Sequence, residues 1–538
     1  MNKIILTTSL LIVAVFTVAY LYFSNISAGS RNIDKALSQI PHDTALIFEI
    51  KNDLGIYELF NSYKLFDALT GQKKQEEISA LKSVLFNSKQ LFQNTLGQNI
   101  FLSFHPQGDS VAFLWIMPLS QNLESGDVPE ALRENKGIIF KETGADADPI
   151  SEIFIKSLKR TFYLHYNRNF VSGSFSKTLL QNALDDKKAK IGNKFIEEIN
   201  RANNQNQNSP AIVFVNFGNS IPYLSHFFKN RLNGNFSLLN NFNGQATLNM
   251  NFKSDALMFN GITETDTSNQ NYINLFLKQK AVRNPIKRIV PGNTAYFISY
   301  GVSNYAVFHK DLQPLLKLRN DLDKLNTMLV QIRDETGINT DRDIKKFWAN
   351  EFITFQLSTQ EKYGAIKLSN GRQLQFFMEP LSSAYSENIR HINYPGLFYY
   401  YFGDAMKQFN KPFYTIMDNE MIISNSPNSL QRYINRYSKN PLFKNDDFIS
   451  FDQLVADQSN ISIFIHNKNS GSNIKSLLKP TYASIFKDND YGLKDFYGLS
   501  CQWSSDGGHF FTNFYAGFNK DLLITESNEE TDSLLIND

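Results

Sequence analysis

Histidines, serine–lysine pairs and clustered carboxylates are the residues from which this chain could build a reactive site. The eight histidines are His42, His105, His165, His226, His309, His391, His466 and His509. No two lie within ten residues of each other, so no helix face carries the His-x-x-x-His pair that grips zinc. Ser-x-x-Lys occurs at Ser79–Lys82, Ser174–Lys177 and Ser472–Lys475. On a helix that spacing brings an amine to a hydroxyl, which is how some serine acyl-enzymes activate their nucleophile. Neither Lys-Thr-Gly nor Ser-Asp-Asn accompanies them, and a chain rich in Ser and Lys produces such pairs by chance. Asp488-Asn-Asp490-Tyr-Gly492-Leu-Lys-Asp495 alternates carboxylates around a glycine, a calcium-like pattern. The loop position that needs a closing carboxylate is Leu499, so a polar turn is the plainer reading. The sequence holds no phosphate loop, no Gly-x-Gly-x-x-Gly and no Gly-x-Ser-x-Gly elbow. The expectation is no catalytic, cofactor-binding or metal-ligating residue, no cofactor and no enzyme.

Cys501 is the single cysteine, so the chain can form neither an internal disulfide nor a Cys-based zinc site. It falls in the strand-like run Leu499–Trp503, as a small buried hydrophobe would. The 54 basic and 52 acidic residues nearly cancel, leaving a net charge of +2. That balance argues against a nucleic-acid protein, which would show a clustered basic face. Aromatics reach 14%, chiefly 46 Phe and 24 Tyr, which suits strands and large cores.

After Lys3 no charge appears until Arg31, and Ile4 to Phe23 is a predominantly apolar run of 20 residues. At about 1.5 Å per residue a helix of that length spans roughly 30 Å, a bilayer core. Tyr20 and Tyr22 sit where interfacial aromatics belong. Residues 1–30 therefore read as a signal anchor in the cytoplasmic membrane, with the bulk of the chain periplasmic. The alternative is cleavage after Ala28 and secretion, although Ile26 fits a cleavage site poorly.

The elements beyond the anchor come in two similar sets. Ile40-Pro-His-Asp-Thr-Ala resembles Val290-Pro-Gly-Asn-Thr-Ala, displaced by 250 positions. Asn99–Phe104 matches Asn350–Phe355, Phe162-Tyr163 matches Phe413-Tyr414, and Ala211–Val215 matches Ile461–Ile465, in the same order. The Gly173-Ser174 and Asn425-Ser426 turns follow the third pair. Ile100, Leu102 and Phe104 alternate along one strand face, and Ile353, Phe355 and Leu357 do so in the counterpart. Asn219 or Ser220 would cap a helix with Pro222 in its first turn. Closing hairpins are expected at about 244–264 and 497–517. Strands in adjacent pairs favour antiparallel sheets and an α+β class. The expected plan is a first α+β repeat at 38–265, a connector at 266–287, a second repeat at 288–520 and an acidic tail at 521–538.

Glu335-Thr-Gly-Ile-Asn-Thr-Asp-Arg-Asp343, followed by Phe347-Trp-Ala-Asn-Glu-Phe352, resembles a segment of an exported bacterial family. That family is known only as domain of unknown function 3352, and the likeness is best over residues 290–360. The first set keeps only Thr95-Leu-Gly97 of the Thr-Gly turn. The resemblance implies an envelope location and an α+β fold, and it brings no activity and no functional residue. The resulting expectation is a membrane-anchored binding or scaffold protein of the cell envelope with a protein partner and no nucleic acid. Alternatives are a carrier or sensor of an apolar ligand held between the lobes, and an enzyme with a dispersed site.

Overall fold

The computed structural model describes residues 32–52, 72–85, 95–108, 110–119, 127–142, 150–205, 209–230, 232, 234–253, 255–483 and 495–519. The Ile4–Phe23 segment, the Asp488–Gly492 turn and the acidic end lie outside the described residues. Among the described residues no helix is long and apolar enough to cross a membrane. The fold is α+β with antiparallel sheets. The chain divides into two compact units, Met1–Tyr63 with Thr70–Val215, and Lys64–Leu69 with Asn216–Asp538. The division falls inside the span 38–265 expected for the first repeat.

The first unit contains strands β1 (Leu46–Lys51), β2 (Asn99–Gln107), β3 (Ser110–Pro118), β4 (Ile138–Lys141), β5 (Ser151–Ile155), β6 (Arg160–Tyr166), β7 (Phe170–Ser174) and β8 (Ala211–Asn216). Its helices are α1 (Gln72–Leu85), α2 (Asp127–Arg133), α3 (Lys177–Leu184) and α4 (Asn193–Gln205). The strands pair antiparallel in the order β8–β1–β2–β3–β7–β6–β5–β4. Both sheet faces are covered. Ile47, Phe101, Leu114 and Phe214 pack with α3 and α4 on one side, and Ile100, Trp115, Ile153 and Phe162 with α1 and α2 on the other. That double cover alters the expected reading of β2. Phe101, Ser103 and His105 are its fully buried face, whereas Leu102 and Phe104 are only half-buried.

The second unit begins with α5 (Phe217–Ser225), which starts after Asn216 and so places Pro222 inside the helix rather than in its first turn. Its strands are β9 (Gly244–Lys253), β10 (Ala256–Thr265), β11 (Val282–Arg283), β12 (Thr294–Gly301), β13 (Trp348–Leu357), β14 (Lys362–Leu368), β15 (Ser382–Ala384), β16 (Arg390–Ile392), β17 (Phe413–Met417), β18 (Glu420–Ser424), β19 (Gln458–Ser459), β20 (Ile461–His466), β21 (Phe496–Ser505) and β22 (Phe510–Phe518). Helices α6 (Tyr305–Leu318), α7 (Leu322–Thr336), α8 (Thr340–Asp343), α9 (Gly371–Met378), α10 (Leu397–Phe402), α11 (Pro427–Asn435), α12 (Asp446–Asp452), α13 (Asn467–Leu477) and α14 (Pro480–Ala483) complete it.

The main sheet of this unit runs β15–β16–β17–β18–β14–β13–β12–β20–β21–β22–β10–β9, all antiparallel. Every residue of β12 is buried, because cores lie on both of its sides. The hairpin at 244–265 is added to the edge of β22, where the Thr263 and Thr512 hydroxyls hydrogen-bond at 2.6 Å. Residues 266–287 are more than a connector: Tyr272, Ile273 and Phe276 are buried in a core with Tyr300 and Phe308.

Candidate functional site

The most reactive-looking grouping is in the first unit, and it is not one of the motifs picked out above. Ser103 and His105 are two apart on β2, so both side chains fall on one sheet face. Asp43 lies in the Pro-x-x-Thr-Ala turn that leads into β1, the neighbouring strand. Asp43 Oδ1 is 2.7 Å from His105 Nδ1, and Ser103 Oγ is 2.9 Å from His105 Nε2. A carboxylate on one ring nitrogen and a hydroxyl on the other is the hydrogen-bond order of a serine-hydrolase triad. Asp43 fixes the tautomer by accepting from Nδ1–H, which leaves Nε2 to accept from Ser103.

The surroundings withhold the chemistry that this order suggests. Ser103 and His105 are each only 1% exposed. Ser103 lies in the middle of the sheet between its register partners Ile47 and Leu114, on the apolar face packed under α3 and α4. A nucleophile must meet a carbonyl carbon with oxyanion donors about 3 Å away, and this hydroxyl points into packed side chains. Only the Asp43 side chain, 45% exposed, reaches solvent. The relay ties the turn to β2 and satisfies a buried imidazole.

On β13 of the second unit Phe355 lies opposite Phe297 in an apolar core, and Thr354 and Gln356 fall on the other face of the strand. Tyr296 OH donates to Gln356 Oε1 at 2.5 Å, Gln356 Nε2 donates to Gln360 Oε1 at 3.0 Å, and Gln360 passes the chain to Asn473. The Thr354 side chain is buried beside the Tyr300 phenol.

A second polar cluster lies among α6, α8 and α10. His309 Nδ1 accepts from Lys345 Nζ at 3.0 Å, because an ammonium can only donate. His309 Nε2 lies 3.2 Å from the Gln313 amide nitrogen, and the ring also hydrogen-bonds the Tyr400 backbone. Burial pushes the His309 imidazole down to about 4, and the Lys345 charge adds to that. Tyr400 and Tyr401 donate to the two oxygens of Asp341 at 3.3 Å each, and Tyr305 donates to the Tyr401 carbonyl at 2.9 Å. Asp341 belongs to the Thr-Gly-Ile-Asn-Thr-Asp segment, so that segment's acidic residue anchors two tyrosines.

The sequence motifs are dispersed. Ser174 Oγ donates to the Phe113 carbonyl at 2.7 Å and accepts from Ser176 N at 3.0 Å, while Lys177 pairs with Glu152 at 3.2 Å. Ser79 is exposed on α1 with Lys82 one turn on. Ser472 is exposed on α13 and donates to Asn473 at 3.4 Å, with Lys475 in the last turn. Burial pushes the Cys501 thiol on β21 up to about 12, far from a reactive thiolate. No group of three or more His, Cys, Asp or Glu among the described residues could hold a metal ion. Two cavities of the second unit, beside Phe451 and beside Phe228, measure about 30 and 40 Å³, room for a water or two.

The relay was half legible: Ser-x-His on a strand announces a shared face, but Asp43 arrives only through β1–β2 pairing. No family model and no curated protein matches the chain. Among solved structures it is similar to crystal forms III and I of TP0453, at 10% and 9% identity. The matches cover 46% of this chain and 88% and 87% of those chains, with TM-scores of 0.26 and 0.25.

Proposed function

We propose that this is a membrane-anchored, extracytoplasmic binding or scaffold protein of the cell envelope, without intrinsic hydrolase or transferase activity. The observation that carries the reading is the enclosure of its reactive groups. Ser103 is walled into a core, and Lys345 is held on a buried imidazole. Anchorage rests on the apolar run Ile4–Phe23, and the envelope assignment also draws on the resemblance to domain of unknown function 3352.

The proposal includes duplication of one α+β module, which the internal geometry supports. Ile47 pairs with Phe214 and Phe297 with Phe464, each residue displaced by 250. Thr44 N donates to the Pro41 carbonyl, and Thr294 N to that of Pro291. Pro41 bridges to Lys190, and Pro291 to Pro441. Ser176 and Ser426 both cap helices while bonding to the serine two positions before. That last equivalence places Ser174 on Ser424, two residues from the Gly-Ser and Asn-Ser alignment expected from sequence.

The topology test is fractionation of the native host. The full chain should remain with membranes after a carbonate wash, and protease admitted to the periplasm should degrade the region beyond Arg31. In-cell crosslinking from that region should recover a protein partner. Complete protection of the region would overturn export.

A further inference from the structure

We propose that the solvent-facing side of strands β9, β10 and β22 binds an uncharged, hydroxyl-rich polysaccharide. Register brings Asn249, Asn260, Asn513 and Gln502 into a single row across β9, β10, β22 and β21. The next row on that face is Thr247, Ile262, Phe511 and Ser504; in the row on the other side Tyr515 and Ser500 are buried and Met258 packs against the core, so the open face narrows there to Asn251. None of these twelve positions carries a formal charge. The opposite face of the hairpin turns Leu248, Met250, Leu257 and Thr263 inward.

Asn251 and Asn260 are exposed and joined by a 2.7 Å bond from Asn251 Nδ2 to Asn260 Oδ1. Asn513 is half-buried, and Ile262 and Phe511 are 40% and 48% exposed side by side. Gln502 is closed off by bonds to the Ala456 amide and carbonyl at 2.9 and 2.8 Å, so the open surface ends at β22. His509 stands edge-on to the Phe511 ring at 5.2 Å and limits its swing.

The chemistry selects the occupant. An amide presents a donor and an acceptor together, and neighbouring strands repeat them about every 4.8 Å. A hydroxylated chain offers the same pair of functions at every sugar. The Ile262–Phe511 step supplies an apolar platform for the C–H face of a ring. Phosphate polymers and acidic glycans need cations, which the three rows lack. A peptide added as a strand would take a sheet edge rather than this face. The site extends the reading as a binding protein to a ligand of different chemistry, so its failure leaves the protein-partner proposal standing.

The test is sedimentation of the detergent-solubilised full chain with insoluble neutral polysaccharides (cellulose, chitin and an unsubstituted β-glucan) and with immobilised polygalacturonate. Retention is expected on at least one neutral matrix and should persist in about 0.5 M salt. The Asn260→Ala/Asn513→Ala double variant and Phe511→Ala should each lower it tenfold or more. Ile262→Asp, at an exposed position, should do the same without moving the unfolding midpoint. Retention on no neutral matrix, retention on polygalacturonate alone, or retention that survives all these variants overturns the proposal. So does self-association of the chain that Phe511→Ala abolishes, which would make this face an interface between copies.

Discussion

At Asp43 partial burial alone would raise the carboxyl, yet His105, His42 and a backbone hydrogen bond together hold the group below the usual carboxylate range. A depressed carboxylate stabilises the fold above its unfolded pKa, near 4, and that contribution fades as pH falls through the lower folded value. Asp43→Asn should therefore lower the urea midpoint at pH 6 and converge with the wild type once pH has fallen below the folded value. A constant offset across that range would mean that the charge contributes nothing. His309 behaves in the opposite sense. Burial and Lys345 depress its pKa to about 4, so between about 4 and 6.5 the unfolded chain binds a proton that the folded chain refuses. Stability should rise with pH across that window, and His309→Gln should remove about one proton's worth of slope. His466, pushed down to about 4 mainly by burial, remains to supply a second.

Elements tell how much the sequence could say. The hairpins at 244–265 and 496–518 were legible as paired strand-like runs with a turn between them. The orientation of β2 was not, because helices cover both faces of its sheet and alternation then loses its meaning. The core role of Tyr272, Ile273 and Phe276 was hidden in a short segment that has no period. Three substitutions test the local account. Ser176→Ala and Ser426→Ala each remove a helix N-cap and should cost about 1 kcal/mol in denaturant unfolding. Gly261→Ala should cost more, about 2 kcal/mol or above, since its Cβ would meet the Thr247 carbonyl oxygen at 1.9 Å. A Gly261→Ala protein as stable as wild type would contradict the β9–β10 register.

For the molecule as a whole, the most reactive-looking grouping is Asp43, His105 and Ser103 of the first unit. If the charged trio catalysed a reaction, Ser103 would be its nucleophile; if it is a fastening, removing the hydroxyl costs only stability. Complementation of a deletion strain by Ser103→Ala, scored at matched abundance with the folded state checked by protease resistance, separates these. The account predicts growth and envelope integrity equal to wild type. A folded, abundant Ser103→Ala protein that fails to complement would contradict it.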